Sequence, residues 1–351
     1  MKKEIKIGNR LIGLGHEPFV IAEMSGNHNQ SLERALAIVD AAAKTGAHAL
    51  KIQTYTPDTM TLDIKEGEFF IEDPKSLWKG KSLYDLYAEA MTPWEWHKPI
   101  KDRCEQHGML FFSTPFDFTA VDFLEELNVD FYKIASFENT DVRLVEKVAK
   151  TGKPVIISTG MATVAELYET VEAAKKAGCK DLILLKCTSA YPSTPKEANL
   201  LTIPHLRDLF DVEVGLSDHT MGVGVSIASV ALGASVIEKH FTLDRSEGGV
   251  DSAFSMEPAE FKILVEESKK AWEALGKVSY DRSERELKSL DHRRSLYISQ
   301  DMKAGEVITD KNIKSIRPGH GLPTKYYNQL IGKKVKGDVK KGTPTSLELF
   351  L

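Results

Sequence analysis

Cysteine is scarce: Cys104, Cys179 and Cys187 are the only three in 351 residues. Their number and spacing exclude a disulfide framework and a thiolate metal cluster. Cys187 falls inside an apolar run, so interior packing is its expected role. Long hydrophobic runs are missing as well. No stretch approaches the roughly 20 apolar residues that cross a bilayer. The opening MKKEIKIGNRLIGLG starts on basic residues but has no apolar core of signal-peptide length. A cytoplasmic, reducing location is the resulting expectation, with no membrane partner. Nor is there an excess of positive charge. The formal net charge is −5 and the pI near 6.1, which argues against a nucleic-acid partner or an anionic surface. Any anion this chain binds must meet a local cluster of basic residues.

What the chain does have is a series of short apolar runs ending in polar residues. They are FVIAEM (19–24), HALKIQT (48–54), MLFFSTP (109–115), FYKIASF (131–137), PVIISTG (154–160), LILLKCT (182–188), VEVGLSD (212–218) and SVIEKHF (235–241). Such runs suit strands covered on both faces. Stretches of helical period lie between most of them, so eight alternations predict an α/β fold, a (β/α)8 TIM barrel. Ser31 is expected to cap a helix over 32–45, Thr119 one over 120–128, and Thr163 one over 164–177 with Glu166 closing a capping box. Gly46, Gly152 and Gly178 stop helices.

The second repeat is longer than the rest. Residues 56–90 read as a lid or extra subdomain, followed by a crossover helix over 93–107 with Pro93 in its first turn. The barrel domain is expected over 1–280, ending after a helix at 258–275. A charged linker spans 281–294, and a small β-rich domain spans 295–351. Within that domain SQDMKAGEVIT and KGDVKKGTPTS echo each other, which suggests a pseudo-symmetric fold that leans on a partner surface.

In a parallel barrel the chemistry sits at the C-terminal strand ends, where Glu23, Lys51, Gln53, Lys133, Ser158, Ser217, His219 and His240 fall. Side chains two apart share a face, which pairs Lys51 with Gln53, Ser217 with His219 and Glu238 with His240. Buried charge is costly unless partnered, so these groups face ligand, metal or one another. His219 and His240 come from neighbouring strands and suit a divalent ion with positions left open. Glu23 would accept from substrate or support the ion from outside. Lys51, Lys133, Lys186 and Lys239, with Ser113, Thr114, Ser136, Ser158 and Ser217, form a candidate phosphate site. Lys186 or Lys239 is expected to reach solvent instead. Lys133 also admits a Schiff-base aldolase.

The runs IAEMSGNHNQSLERALAIVDAAAKTGAHALKIQTY, FFSTPFD, YKIASFEN, ISTGMA, KCTSAYP, VGLSDHT, ALGASVIEKHFTLD and IRPGHGL resemble the sialic acid synthase family over essentially the whole chain. That resemblance implies a TIM barrel followed by an antifreeze-like (SAF) domain. It also implies a domain-swapped homodimer in which each small domain covers the partner's barrel mouth. The implied activity is condensation of phosphoenolpyruvate with an N-acetylated amino sugar. The implied metal ligands are His219 and His240, holding manganese or a similar divalent ion such as magnesium or cobalt. The implied phosphoenolpyruvate site comprises Lys51, Gln53, Thr114, Lys133, Ser136, Ser158, Ser189 and Ser217. The implied sugar contacts are Glu23, Glu138, Tyr191, Asp251 and Arg317, with Glu23 or Asp251 handling a proton. CTSAYP departs from the commoner CTN-x-YP by placing Ser189 where an amide usually stands. With QTYTPDTMTL (53–62), SLYDLY (82–87), TPWEWH (92–97) and EGGVDSAFSMEP (247–258), this is similar to the pseudaminic acid branch of the family. The acceptor would then be 2,4-diacetamido-2,4,6-trideoxy-L-altrose; N-acetylneuraminate and legionaminate synthesis are the alternatives.

Overall fold

A computed structural model describes residues 4–74 and 76–351 and divides into two compact units, Met1–Gly276 and Lys277–Leu351. The first begins with an antiparallel hairpin, β1 (Ile5–Ile7) and β2 (Arg10–Ile12). Eight parallel strands follow: β3 (Phe19–Glu23), β4 (Ala49–Thr54), β5 (Leu110–Pro115), β6 (Tyr132–Ile134), β7 (Val155–Ser158), β8 (Leu182–Cys187), β9 (Glu213–Ser217) and β10 (Val236–His240). They close in sequence order, with β10 pairing back onto β3 so that His240 stands beside Glu23. This is the expected TIM barrel, and each strand lies within the run that predicted it.

Two apolar layers fix which way every strand residue points. Val20, Ala22, Leu50, Ile52, Ile157, Leu184 and Val214 pack outward against helix residues such as Ala35, Ile38 and Val39. Phe19, Ile21, Ala49, Phe112, Phe131, Ile156, Ile183, Leu185 and Val236 face inward, where Ile5, Ile7 and Ile12 of the hairpin plug the end at which the strands begin. Gly215 is needed in this interior, since a Cβ there would lie 2.7 Å from Val236 Cβ and 2.8 Å from Leu185 Cδ2. Continuing the alternation along each strand carries Glu23, Lys51, Gln53, Thr114, Lys133, Ser158, Cys187, Ser217, Glu238 and His240 inward at the opposite mouth.

Ser31 caps the helix Leu32–Thr45, and Thr163 with Glu166 caps Val164–Lys176, as predicted. The helix expected from Thr119 begins instead at Phe118. Asp117 is its cap because its carboxylate accepts from the backbone of both Thr119 and Ala120, and takes the Thr119 hydroxyl as well. The crossover helix runs His97–Gln106 and is entered through a 3-10 turn, Trp94–Trp96.

The 56–90 insertion contains the helices Pro57–Met60 and Leu83–Ala90. Side-chain bonds to main-chain carbonyls fasten it to barrel loops. The Gln30 amide donates to the carbonyls of Glu89 at 2.9 Å and Met91 at 2.7 Å. Trp78 Nε1 donates to the Val250 carbonyl at 3.0 Å. Two buried imidazoles bond to the segments that flank it. His28 Nε2 lies 3.3 Å from Thr92 Oγ1, and His97 Nε2 lies 2.7 Å from Thr54 Oγ1. Burial pulls both rings down to about 4, so they sit neutral.

In the second unit β11 (Ser295–Ile298) and β12 (Ile313–Ile316) pair antiparallel over a core of Leu296, Ile298, Met302, Ile308, Leu330, Val335 and Phe350. Its two echoing phrases cross at Met302 and Val339, whose N–H groups donate to each other's carbonyls at 2.9 Å. Asp301 pairs with Lys340, and Asp338 with Lys303, in matching positions. The short helix Glu284–Lys288 in the charged stretch before this core is exposed.

Candidate active site

The inward strand ends converge on a charged cluster. Lys51 Nζ lies 2.8 Å from Glu23 Oε2 and 3.7 Å from Glu238 Oε1, and 3.3 Å from Thr114 Oγ1. Lys133 Nζ lies 3.3 Å from the same Glu238 oxygen, which also accepts from Ser217 Oγ at 3.1 Å. All four charged side chains are buried. Burial pushes Glu238 up, but the Lys133 and Lys51 ammonium groups outweigh it and hold the carboxyl below the ordinary carboxylate range. Glu23 has one close cation, and burial wins, pushing it to about 7. Burial lowers Lys133 against the pull of Glu238.

Beside this cluster lies a set of small donors. Gly160 N donates to Ser136 Oγ at 3.2 Å, and the Asn139 amide holds the carbonyls of Ser158 and Gly160 at 3.0 and 3.2 Å. A Cβ on Gly160 would come within 2.6 Å of Ser136 Oγ and closer still to Ser189 Oγ. The chain must therefore be glycine here for the three loops to meet. Ser158 Oγ is buried with no hydrogen-bond partner, an unmet donor at the end of the strand that pairs with that of Lys133.

On the other flank Gln53 Nε2 donates to Glu23 Oε1 at 3.3 Å and Ser25 Oγ at 3.2 Å, and the Ser25 hydroxyl donates to Asp251 Oδ2. Ser25 adopts φ of 48°, a left-handed conformation that costs a non-glycine residue roughly 1–2 kcal/mol. Burial raises Asp251, and it raises Glu138 to about 7 with Glu138 Oε2 lacking a hydrogen-bond partner.

The imidazoles of His219 and His240 stand with ring centroids 5.4 Å apart. Tyr191 packs against His219 at 4.5 Å and Phe254 against His240 at 4.9 Å. His219 Nδ1 is 2.9 Å from the Thr188 carbonyl, so in the neutral ring Nδ1 carries the proton and Nε2 the lone pair; burial disfavours a second proton, but Cys187 and the Thr188 carbonyl outweigh it and raise the ring. Burial and the neighbouring cations hold His240 well below its ordinary value, and its buried Nδ1 has no hydrogen-bond partner. Two such rings fit a divalent ion. Among the described residues no group of three or more His, Cys, Asp and Glu forms a metal site, so water or substrate would fill the remaining positions.

Several expectations need correcting. Lys239 does not reach solvent; it is out of phase with Glu238 and His240, faces the helical layer, and pairs with Asp218 at 2.9 Å. Lys186 is also buried, donating to Thr188 Oγ1 at 2.6 Å. Ser113 turns away from the mouth to donate to the Ile52 carbonyl at 3.0 Å. Cys187 packs in the interior, but on the site's wall, with Sγ 3.9 Å from both His219 Nδ1 and Ser189 Oγ. Although burial opposes it, His219 leads the neighbours that bring the thiol down to about 7. Arg317 belongs to the second unit, directly after β12. Sequence reasoning noted the face of Glu238 but gave it no role, and it missed Ser25 and Gly160. Strand parity with His240 could have found Glu238; nothing local marks the other two.

Comparison with known proteins adds an independent line. Residues 38–280 match the NeuB family, and residues 293–348 match the SAF domain. The chain is 46% identical over 338 residues to a pseudaminic acid synthase of Campylobacter jejuni, covering 96% of this chain and 97% of that one. It is 43% identical over 335 residues to the pseudaminic acid synthase of Helicobacter pylori, covering 94% and 97%. Among solved structures, the N-acetylneuraminic acid synthetase of Leptospira borgpetersenii, crystallised with citrate, superposes with a TM-score of 0.74 at 33% identity, covering 84% of this chain and 97% of that one.

Proposed function

Because the chain belongs to the NeuB family, we propose that it condenses phosphoenolpyruvate with 2,4-diacetamido-2,4,6-trideoxy-L-altrose, giving pseudaminic acid and phosphate. The observation that carries the reaction class is the convergence at one barrel mouth of Lys51, Lys133 and the unmet Ser158 hydroxyl with the His219–His240 pair. The acceptor rests on similarity to pseudaminic acid synthases along nearly the whole chain.

In this reading Lys51, Lys133, Ser136, Ser158 and Ser217 hold the phosphate and carboxylate of phosphoenolpyruvate, which is mostly positioning and electrostatics in a buried site. C3 of phosphoenolpyruvate attacks the aldehyde carbon of the open-chain sugar. Water then adds at C2, and phosphate leaves by C–O cleavage. A divalent ion bound by the two imidazoles would supply Lewis-acid polarisation of the aldehyde oxygen. Glu23, poised near 7, can both hold and release a proton at neutral pH, and Asp251 is linked to it through Gln53 and Ser25. Glu138 and Tyr191 line the sugar side.

The small unit would cover the mouth of a second copy, with Arg317 reaching an N-acetyl group of the sugar. Charge supports this arrangement. Residues 277–351 carry 16 Lys and Arg against 9 Asp and Glu in a chain of net −5, so the two units differ in sign. No helix among the described residues is long and apolar enough to cross a membrane.

The test is phosphate release from phosphoenolpyruvate with three acceptors: N-acetylmannosamine and the diacetamido-trideoxy sugars of altro and manno configuration. Each is assayed with Mn2+ and with excess chelator. Release with the altro sugar alone, abolished by chelator, is expected. Release with another acceptor overturns the sugar assignment, and chelator-resistant turnover overturns the metal assignment.

A further inference from the structure

Directly behind the two imidazoles lies a buried polar network that the reaction does not touch. Its centre is the Asp218–Lys239 pair, with side chains only 2% and 1% exposed. Each residue immediately precedes a candidate ligand, His219 or His240, and each faces away from the mouth. The Asp218 carboxylate accepts four donors. Thr220 N and Thr220 Oγ1 reach Oδ1 at 2.9 and 2.8 Å, while Ser226 Oγ and Lys239 Nζ reach Oδ2 at 2.6 and 2.9 Å. The first two bonds close a tight turn with His219 at its centre. Lys239 Nζ also donates to the Thr220 carbonyl at 2.5 Å. One ammonium thus grips the residues on both sides of His219 from a strand whose next residue is His240. The main chain joins the same two segments, since Asp218 N donates to the Glu238 carbonyl at 2.9 Å.

We infer that Asp218 and Lys239 are positioning residues that set the spacing of the His219 and His240 rings, and with it the affinity for a divalent ion between them. This rests on reading those rings as an ion site. A purely structural pair would behave differently. Buried ion pairs are often replaceable by apolar groups with little net change in stability, and their loss need not alter a ligand geometry elsewhere. Here the pair ties together the two segments that the ion would bridge, so loosening it separates ligand from ligand. Groups that orient ligands from outside typically contribute about 10- to 100-fold in metal affinity.

The experiment is titration of metal-stripped full-length protein with Mn2+ alone, following free Mn2+ by its paramagnetic resonance, alongside thermal unfolding without metal. Lys239→Met and Asp218→Asn are expected to weaken Mn2+ binding about 10- to 100-fold. Ser226→Ala, which removes one donor and keeps the ion pair, is expected to weaken it about threefold or more, and it decides the matter if the first two fail to fold. Arg103→Met is the control. It breaks the two-bond pair with Asp40, at 2.8 and 3.0 Å, between outer helices, and should leave Mn2+ affinity unchanged. Unaltered affinity in the folded Asp218, Lys239 and Ser226 variants overturns the inference, as does equal weakening in the control. Absence of Mn2+ binding by the unsubstituted protein overturns the ion site itself, and the inference with it, before any substitution is made.

Discussion

Glu238→Gln isolates the electrostatics of the empty mouth. In the free protein Glu238 Oε1 is the closest acidic atom to Lys133, at 3.3 Å, and it also lies 3.7 Å from Lys51. At an effective dielectric of about 20 each contact is worth roughly 5 kcal/mol gross. Most of that offsets the desolvation of the charges rather than adding net stability. Removing the carboxylate's charge leaves Lys133 buried without its ion-pair partner, a situation that costs about 3–5 kcal/mol. The lower figure is the better guide, because the mouth is where substrate and water must enter. A loss of about 3 kcal/mol in a chain of this size lowers the melting midpoint by roughly 4 °C. Phosphoenolpyruvate should then restore more to the variant than to the parent, since its negative charges take the place of the missing carboxylate. The assay is thermal and urea unfolding with and without phosphoenolpyruvate. A variant within about 1 kcal/mol of the parent, with an unchanged response to phosphoenolpyruvate, would refute the argument that Glu238 compensates these lysines.

Arg317→Lys should raise the apparent KM for the sugar at least tenfold, roughly 1.4 kcal/mol or more, leaving that for phosphoenolpyruvate unchanged. A sugar KM unchanged from the parent would remove Arg317 from the sugar site. Gly160→Ala should cost about 1–3 kcal/mol of packing and weaken phosphoenolpyruvate binding more than sugar binding, because the new methyl displaces the Ser136 and Ser189 hydroxyls; steady-state kinetics with each substrate varied decides. Stability should fall with acid. His28 and His97 are held near 4 in the fold against about 6.5 when unfolded, so the unfolded chain gains protons first. Their contribution is full above 6.5, and each loses roughly 2 kcal/mol by pH 5. Urea unfolding of the parent and of His97→Gln should show a flatter dependence between pH 7 and 5 in the variant. Parallel slopes would exclude the His97 imidazole as a cause.

The barrel was readable because parallel strands covered on both faces leave contiguous apolar runs, and because polar side chains at their ends have few structural uses. Glu23, Lys51, Lys133, Ser217, His219 and His240 announced themselves in this way. What stayed hidden depends on long-range register. That Lys239 meets Asp218 instead of solvent follows only once β9 and β10 are aligned side by side. The roles of Ser25 and Gly160 depend on loops far apart in sequence, Ser25 meeting Asp251 and Gly160 meeting Ser136 and Ser189. The cap at Asp117 was missed for a local reason. Two competent acceptors stand two residues apart, and the carboxylate reaches two N–H groups where the hydroxyl of Thr119 itself becomes a donor.

The way the 56–90 insertion is fastened has a bearing on how such enzymes diversify. Gln30 and Trp78 bond to carbonyl oxygens, of Glu89 and Met91 in one case and Val250 in the other. Carbonyls are present whatever side chains the segment carries. At the Gln30 attachment the side chain belongs to the barrel and the recognised groups belong to the insertion's main chain. Mutation can therefore rewrite the insertion's exposed side chains there without unfastening it. The insertion's surface chemistry is thereby free to vary while its anchorage to the barrel is kept.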